Sequence, residues 1–444
     1  MSRLFPIVIA FFCAACGPSV EDLIDDLGAG GEQSVEARQH LLLAKEQAVG
    51  PLLKALEDQH HREARPELVE VLASLMMRVE NDQVGAALLE HLRHDPDPRV
   101  KARIARRLGL QKYTGAIEAL IDVLGDADGE VRYQALVALS LLESKLIEAQ
   151  KEAVRLKARE LNEDKHEGVR MEATINVENY VNQWIGEARQ LEVQAEIARA
   201  ESLYSKALAY SPHSKQGNYR MGRFYLDNGE REKGLDLLRR HGMLLEVPPL
   251  AEPPTIDGRI DEALWRTAAR ADSFYQFANN HYAALPSEVE TEVYIGYIDE
   301  ALYIGFLALD ENPDSLVVGR RPNMVWWDDD VEFYCDADFD HSTYCQIGFN
   351  SAGLVNDKWF NGGLRNEVEG WDAYGEAAVH VGADFWSVEY RLPVATDDFP
   401  RPRPGAIWGF NFVRVFRGSE YSQWVRTYGG NAHQPDDFGL LVFR

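Results

Sequence analysis

Between about positions 34 and 180, apolar residues recur at three- and four-residue intervals, the period of helices that each bury one stripe. The stripes are divided by short acidic turns. Leu88, Leu89 and Leu92 precede Asp95-Pro96-Asp97-Pro98-Arg99-Val100, and a helical stretch then runs to Leu108. Leu120, Ile121 and Leu124 precede Asp126-Ala127-Asp128-Gly129-Glu130-Val131, with a helical stretch through Leu139. Val100 and Val131 lie 31 residues apart, a weaker copy begins at Glu167-Gly168-Val169-Arg170, and a degenerate one lies around Pro51 to Leu75. No single helix pair can bury its own stripe, so the pairs must stack into a solenoid. A second helical period starts near Ile197, where Ala200 to Gly234 and Leu203 to Leu237 are each 34 residues apart.

Val247-Pro248-Pro249-Leu250-Ala251-Glu252-Pro253-Pro254 cannot continue a helix, and beyond it the alternation shortens to two residues. Strands are predicted at Glu292–Tyr297, Leu302–Phe306, Val331–Cys335, Cys345–Asn350, Ala377–Val381, Trp386–Leu392, Trp408–Val415 and Leu440–Phe443. The expected architecture is multidomain: an N-terminal all-α helical-repeat solenoid followed by an antiparallel β-sandwich.

The D-x-D-x-x-V-R turns resemble those of HEAT repeats, and the 34-residue period, with Tyr219-Arg220-Met221-Gly222-Arg223-Phe224-Tyr225, resembles a tetratricopeptide repeat. The order Pro254-Thr255-Ile256-Asp257-Gly258 through Trp265, Trp326 to Asp336, Phe349-Asn350-Ser351-Ala352-Gly353, Trp386 to Glu389, Trp408 to Asn411 and His433 to Gly439 resembles the family 9 carbohydrate-binding module. That resemblance implies a sandwich whose sugar-binding members grip a terminal sugar between two tryptophans, with calcium supporting the fold. By motif position it implies Trp326 as the first clamp residue, Glu332 as an acid on the adjoining strand and Asn350 as a polar contact. Where a second clamp tryptophan is implied the chain reads Asn431-Ala432-His433, leaving Trp424, Tyr428 or His433 as substitutes. Trp265, Trp386 and Trp408 are expected in the core. Asp336, Asp338 and Asp340 alternate as oxygen ligands of calcium do in loops, so structural calcium is a possible ligand, with no cofactor required.

The N-terminus bears on compartment. After Arg3, the apolar run Leu4 to Ala15 is too short for a bilayer, which takes about 20 residues, and it resembles a bacterial lipoprotein signal cut before Cys16. The Cys16 thiol would then carry lipid, and Gly17 after it favours the outer membrane. Of the four cysteines only Cys335 and Cys345 remain after processing. An oxidising compartment and shared strand faces lead us to expect a Cys335–Cys345 disulfide, two buried free thiols being the alternative. The expected divisions are a signal peptide at 1–15, a tether at 16–33, HEAT-like repeats at 34–182, tetratricopeptide-like repeats at 183–243, a proline-rich linker at 244–253 and the sandwich at 254–444.

The 444 residues carry 46 Lys+Arg against 72 Asp+Glu, a formal charge of -26 that repels phosphate backbones and argues against nucleic acid as a partner. No HExxH, GxSxG or P-loop pattern occurs. The expected function is a non-catalytic, lipid-anchored envelope protein that binds carbohydrate or envelope polysaccharide through the sandwich and a protein partner through the solenoid. The alternative is an outer-membrane assembly scaffold whose sandwich no longer binds sugar.

Overall fold

The computed structural model describes residues 18–79, 82–277, 286–321, 324–362, 364, 366–427 and 431–444. Cys16 and Tyr428 lie outside the described residues. The chain divides into two compact units, at Val177 and Glu178.

The first unit holds α1 (Val20–Leu27), α2 (Gly31–Ala44), α3 (Glu46–Glu57), α4 (Arg65–Met76), α5 (Asp82–His94), α6 (Pro98–Leu110), α7 (Ile117–Asp122), α8 (Gly129–Leu142), α9 (Glu148–Leu161) and the first turns of α10 (Glu167–Val193). The stretch expected as a tether contains α1, capped by Ser19 and burying Leu23, Ile24 and Leu27. A local N-cap and three apolar residues on one face suffice to fold it onto its neighbours.

The acidic turns work twice over. Asp97 and Asp128 are the N-caps of α6 and α8, accepting from the amides of Arg99 and Glu130 at 2.9 Å. Two residues earlier, Asp95 and Asp126 accept the amides of Asp97 and Asp128 and also receive a cation from the preceding repeat, Arg65 and Lys101 respectively. Asp164 repeats the pattern, pairing with Arg132 at 2.6 Å and with the His166 amide at 2.8 Å. Arg65 and Asp95 are both buried. This ladder of cation and aspartate ties each repeat to the next at its turns, while stripes such as Val100, Ile104 and Leu108 form the core between them.

The second unit begins with the remaining turns of α10 and continues through α11 (Ile197–Tyr210), α12 (Lys215–Asp227) and α13 (Arg231–Arg240). Tyr204 and Phe224 pack with Tyr180 and Trp184 in one cluster. Gly222 and Gly234 let α12 and α13 approach closely: a Cβ on Gly234 would lie 2.6 Å from the carbonyl oxygen of Gly222.

Among the described residues fourteen strands follow: β1 (Leu244–Val247), β2 (Ala269–Ala271), β3 (Tyr275–Gln276), β4 (Thr291–Ile298), β5 (Ala301–Leu309), β6 (Asp330–Asp336), β7 (Thr343–Asn350), β8 (Val355–Asn361), β9 (Glu367–Val368), β10 (Glu376–Val381), β11 (Phe385–Pro393), β12 (Ile407–Phe416), β13 (Glu420–Gln423) and β14 (Gly439–Phe443). The smaller sheet runs β10-β11-β5-β4-β2, and the larger β1-β14-β12-β6-β7-β8-β9, with β13 on β12 and β3 on β13. Phe306, Trp386 and Val388 meet Phe333, Phe349, Phe410, Phe412 and Trp408 in the core between them. As expected, Trp265, Trp386 and Trp408 are each no more than 2% exposed.

Two expectations change here. The first four residues of the expected linker form β1, which pairs in parallel with β14, Leu244 opposite Leu440. Leu244 and Val247 are buried, and that apolar pair ahead of the prolines makes the segment an edge strand instead of a spacer. The expected disulfide is also replaced. Cys335 and Cys345 stand opposite one another in the ladder, but as buried free thiols. Burial raises the Cys335 thiol well above its ordinary range, with Cys345 as its hydrogen-bond partner, so little of the thiolate needed for oxidation exists and both behave as small apolar side chains.

Candidate functional site

Strand alternation sends Val331, Phe333 and Cys335 into the core, and Asp330, Glu332 and Tyr334 to the opposite face of the larger sheet. On that face lies an open hollow of about 740 Å³. Its floor comes from outward positions of four neighbouring strands: Glu332 and Tyr334 on β6, Gln346 on β7, Lys358 and Phe360 on β8, and Val413 and Val415 on β12. Trp326 and Trp327, on a single turn at Val325–Trp327, wall one side. The turn fits over the sheet because position 348 is glycine: a Cβ there would lie 2.7 Å from Val325 and 3.3 Å from Glu332. Asn431, Ala432 and His433 form another wall, and Gln276, Glu420 and Tyr421 come from the β3–β13 edge.

Trp326 is half-buried at this wall, with the Lys358 ammonium 4.7 Å from its ring centroid. Lys358 is held there by Glu367 at 2.7 Å. Glu332 accepts at Oε2 from the Tyr334 hydroxyl and the Gln346 amide, both at 2.7 Å. Burial raises its carboxyl above the usual range, while those two hydrogen bonds work in the other direction. His433 lies edge-on to Tyr334 and Phe360, with centroids 5.2 and 4.9 Å away, and its Nδ1 is 3.1 Å from the Tyr344 hydroxyl. Burial, reinforced by the charge of Lys358, pushes its pKa down to about 4, so the ring is neutral at physiological pH.

Of the residues singled out in the sequence, Trp326, Glu332 and His433 therefore come together around one hollow. Two others do not. Asn350 is buried and used internally: its amide donates to Asp328 at 2.9 Å, and its oxygen accepts from the amides of Ala352 and Leu354. It braces a turn where a sugar contact was expected. Trp424 is 5% exposed and packs on Phe412 within the core, so it offers no ring face to a ligand. Lys358, Phe360, Gln346 and Tyr421 were missed; Gln346 could have been found from the outward phase of the predicted Cys345–Asn350 strand, whereas Lys358 and Phe360 sit on β8 and Tyr421 on β13, strands the sequence does not announce.

Asp336, Asp338 and Asp340 gather as expected, with one oxygen from each within 4.8 Å of the others. The loop closes on its own amides, however. Asp336 accepts from Asp340 and His341 at 3.1 and 2.9 Å, and Asp340 from Ser342 and Thr343 at 2.7 Å. Three carboxylates supply about half of the six to eight oxygens that calcium takes, so the residues fit the ion only in part.

The family model for HEAT repeats matches residues 85–178. No curated protein matches the chain. Among solved structures, the chain is similar to a family 9 carbohydrate binding module from Caldicellulosiruptor kristjanssonii in complex with cellotriose, at 16% identity over 45% of this chain and 93% of that one, TM-score 0.36. The same module in complex with glucose aligns at 16% identity over 45% and 95%, TM-score 0.35. The complex of CpcE and CpcF of phycocyanin lyase from Nostoc aligns at 23% identity over 35% of this chain and 96% of that one, TM-score 0.30.

Proposed function

We propose that this chain is a non-catalytic binding protein of the cell envelope, anchored by lipid on Cys16 at the outer membrane, that takes a sugar ring in the hollow beside Trp326 and offers its helical repeats to a protein partner. One observation carries the sugar reading: a half-buried indole stands at the edge of an open hollow whose floor presents a hydrogen-bonding carboxylate, Glu332. An indole face stacks on sugar C–H groups, and a carboxylate accepts from hydroxyls. Among the described residues the wall at Asn431–His433 carries no tryptophan, and His433 supplies a neutral ring there. Single-ring sites of this kind bind at about micromolar to millimolar Kd. Catalysis is disfavoured because Asp330 and Glu332 project side by side from one strand, whereas glycosidase carboxyls flank the bond about 5 to 9.5 Å apart.

Calorimetry of the full chain against a glycan panel tests this reading. Trp326→Ala should weaken the best ligand by roughly 1 to 3 kcal/mol, by analogy with other aromatic stacking. No ligand anywhere in the panel, or full affinity in Trp326→Ala, contradicts it. Ala432 in place of a clamp tryptophan favours a second reading, an assembly scaffold without sugar affinity. Recovery of a stoichiometric protein partner from solubilised envelopes, together with a silent glycan panel, would select that reading. Incorporation of labelled fatty acid that is lost in Cys16→Ser tests the anchor.

A further inference from the structure

We infer that one edge of the helical repeats, where α2, α4, α6 and α8 end, lies on a lipid bilayer with acidic headgroups. This rests on the lipid anchor at Cys16 proposed above and assigns the face of the repeats that the anchor turns toward the membrane.

The first observation is a periodic row of exposed apolar side chains. Leu43, Met77, Leu110 and Leu141 stand 34, 33 and 31 residues apart, each within one residue of the end of its helix. They are 39 to 76% exposed, and Ile147, in the loop after α8, is exposed as well. The helices are in register at these ends: the Gln111 side chain donates to the Ala73 carbonyl at 2.8 Å and Arg107 to Ser74 at 3.1 Å, and a Cβ on Gly109 would lie 2.5 Å from that of Ala138. Arg38 pairs with Glu67 between α2 and α4. The apolar tips therefore follow one edge, separated by polar residues. A folded partner covers a contiguous apolar patch, whereas a bilayer takes up each tip separately, as it does the apolar face of an interfacial helix.

The second observation is the charge beside the row. Lys45, Arg78, Lys112 and Lys145 follow the four tips by one to four residues. All four are exposed, and none is ion-paired among the described residues. Glu46 and Glu143 are interleaved with them, and Glu148 is already held by Arg155 at 2.9 Å, so the edge keeps a positive excess in a chain of net charge -26. The other ends of α6 and α8 carry the aspartate turns, about 20 Å away along a helix of 13 residues. With the apolar edge down, acidic headgroups meet the cations and the aspartates are held off.

The third observation is reach. Only Gly17 and Pro18 separate Cys16 from Ser19, the N-cap of α1. Three residue steps span at most about 11 Å, so an acylated Cys16 holds α1 against the bilayer. The loop Gly28–Gly30 joins α1 to α2, and helices joined by so short a loop run antiparallel. The start of α1, and the anchor with it, is thereby turned to the side on which α2 ends at Leu43.

Single cysteines read this placement, since Cys335 and Cys345 are buried and an acylated Cys16 offers no thiol. The lipidated chain is reconstituted in vesicles of phosphatidylethanolamine and phosphatidylglycerol, with a polarity-sensitive dye on Met77→Cys, on Leu110→Cys or, at the aspartate-turn end, on Glu130→Cys. All three positions are exposed, so the variants should fold. At Met77→Cys and Leu110→Cys the emission should move to the blue and most of the quenching by a water-soluble quencher should be lost, while the dye at Glu130→Cys stays quenched. Replacing phosphatidylglycerol by phosphatidylcholine should restore part of the quenching; no change on that exchange overturns the assignment to acidic headgroups. Full quenching at Met77→Cys and Leu110→Cys in the anchored chain overturns the inference and leaves the anchor standing. Shielding of the same dyes in the unacylated Cys16→Ser chain as its concentration rises, without vesicles, assigns the row to a second copy of this chain and also overturns it. No incorporation of fatty acid at Cys16 in cells overturns the anchor and the inference together.

Discussion

The hydroxyl of Tyr219, on α12, donates to the carbonyl oxygen of Phe438 across 2.5 Å, joining the helical pair to the segment that leads into the last strand of the sandwich. Around it, Arg220 pairs with Asp437, and the Tyr219 hydroxyl itself accepts from Arg223 at 2.9 Å. Tyr219 belongs to the same apolar cluster as Leu302, Phe333 and Trp408. The chain just upstream of this clamp is Asn431–His433, a wall of the hollow. The helices from α11 to α13 therefore act as part of the sandwich, bracing its candidate site.

Tyr219→Phe leaves the Phe438 carbonyl without its donor inside the protein and should cost roughly 1 to 3 kcal/mol of stability. The same variant should weaken sugar binding several-fold, because the wall carrying His433 loses its brace. Thermal denaturation and calorimetry on one preparation check both. A lower Tm with unchanged affinity would show that the clamp serves folding alone.

The acidic turns of the first unit predict an acid-sensitive solenoid. Burial works to raise the carboxyl pKa of Asp95, but hydrogen bonds from His91, the Asp97 amide and Arg65 outweigh it and the net shift is downward; Asp126 and Asp164 follow the same pattern with Lys101 and Arg132. A carboxyl with a depressed folded pKa stabilises above its unfolded value, about 3.9, and that contribution is lost as pH falls through the folded value. Hydrogen exchange should therefore show protection of α4 to α9 holding from pH 7 to 5 and falling below about 4. Asp95→Asn should lower protection at pH 7 and flatten the acid dependence. Constant protection down to pH 3 would mean that the ladder contributes nothing.

The facing cysteines predict two thiols. Alkylation of the unfolded, unreduced chain should label both Cys335 and Cys345, while the native chain resists labelling because both are fully buried. A peptide linking the two would establish the bond that the ladder leaves unmade.

Much of this fold is legible in the sequence, for identifiable reasons. The acidic turns announce themselves because capping and repeat contact fall on the same two aspartates, Asp95 and Asp97, and the eight expected strands all occur because each is a run of alternating or wholly apolar residues. What escaped notice depends on partners distant in the chain. β1 becomes a strand only because Leu440 lies beside Leu244, and β3, β8, β9 and β13 are short or polar strands recruited by longer neighbours. At the site, Trp326 and Glu332 were visible through their motif, yet Asn350, from a motif of the same resemblance, turns inward to Asp328. Which side of a turn an amide faces is decided by the acceptor waiting for it, and Asp328 is 22 residues away. Tyr219 looked like one more aromatic in a helical stripe; only the packed structure gives its hydroxyl a partner.

A crystal structure of the full chain soaked with the tightest ligand from the glycan panel tests sugar binding at Trp326 most directly. A sugar ring is expected in the hollow, one face on the Trp326 indole and a polar group within hydrogen-bond reach of Glu332. Density for the ligand elsewhere on the chain, or an empty hollow under saturating ligand, would contradict it.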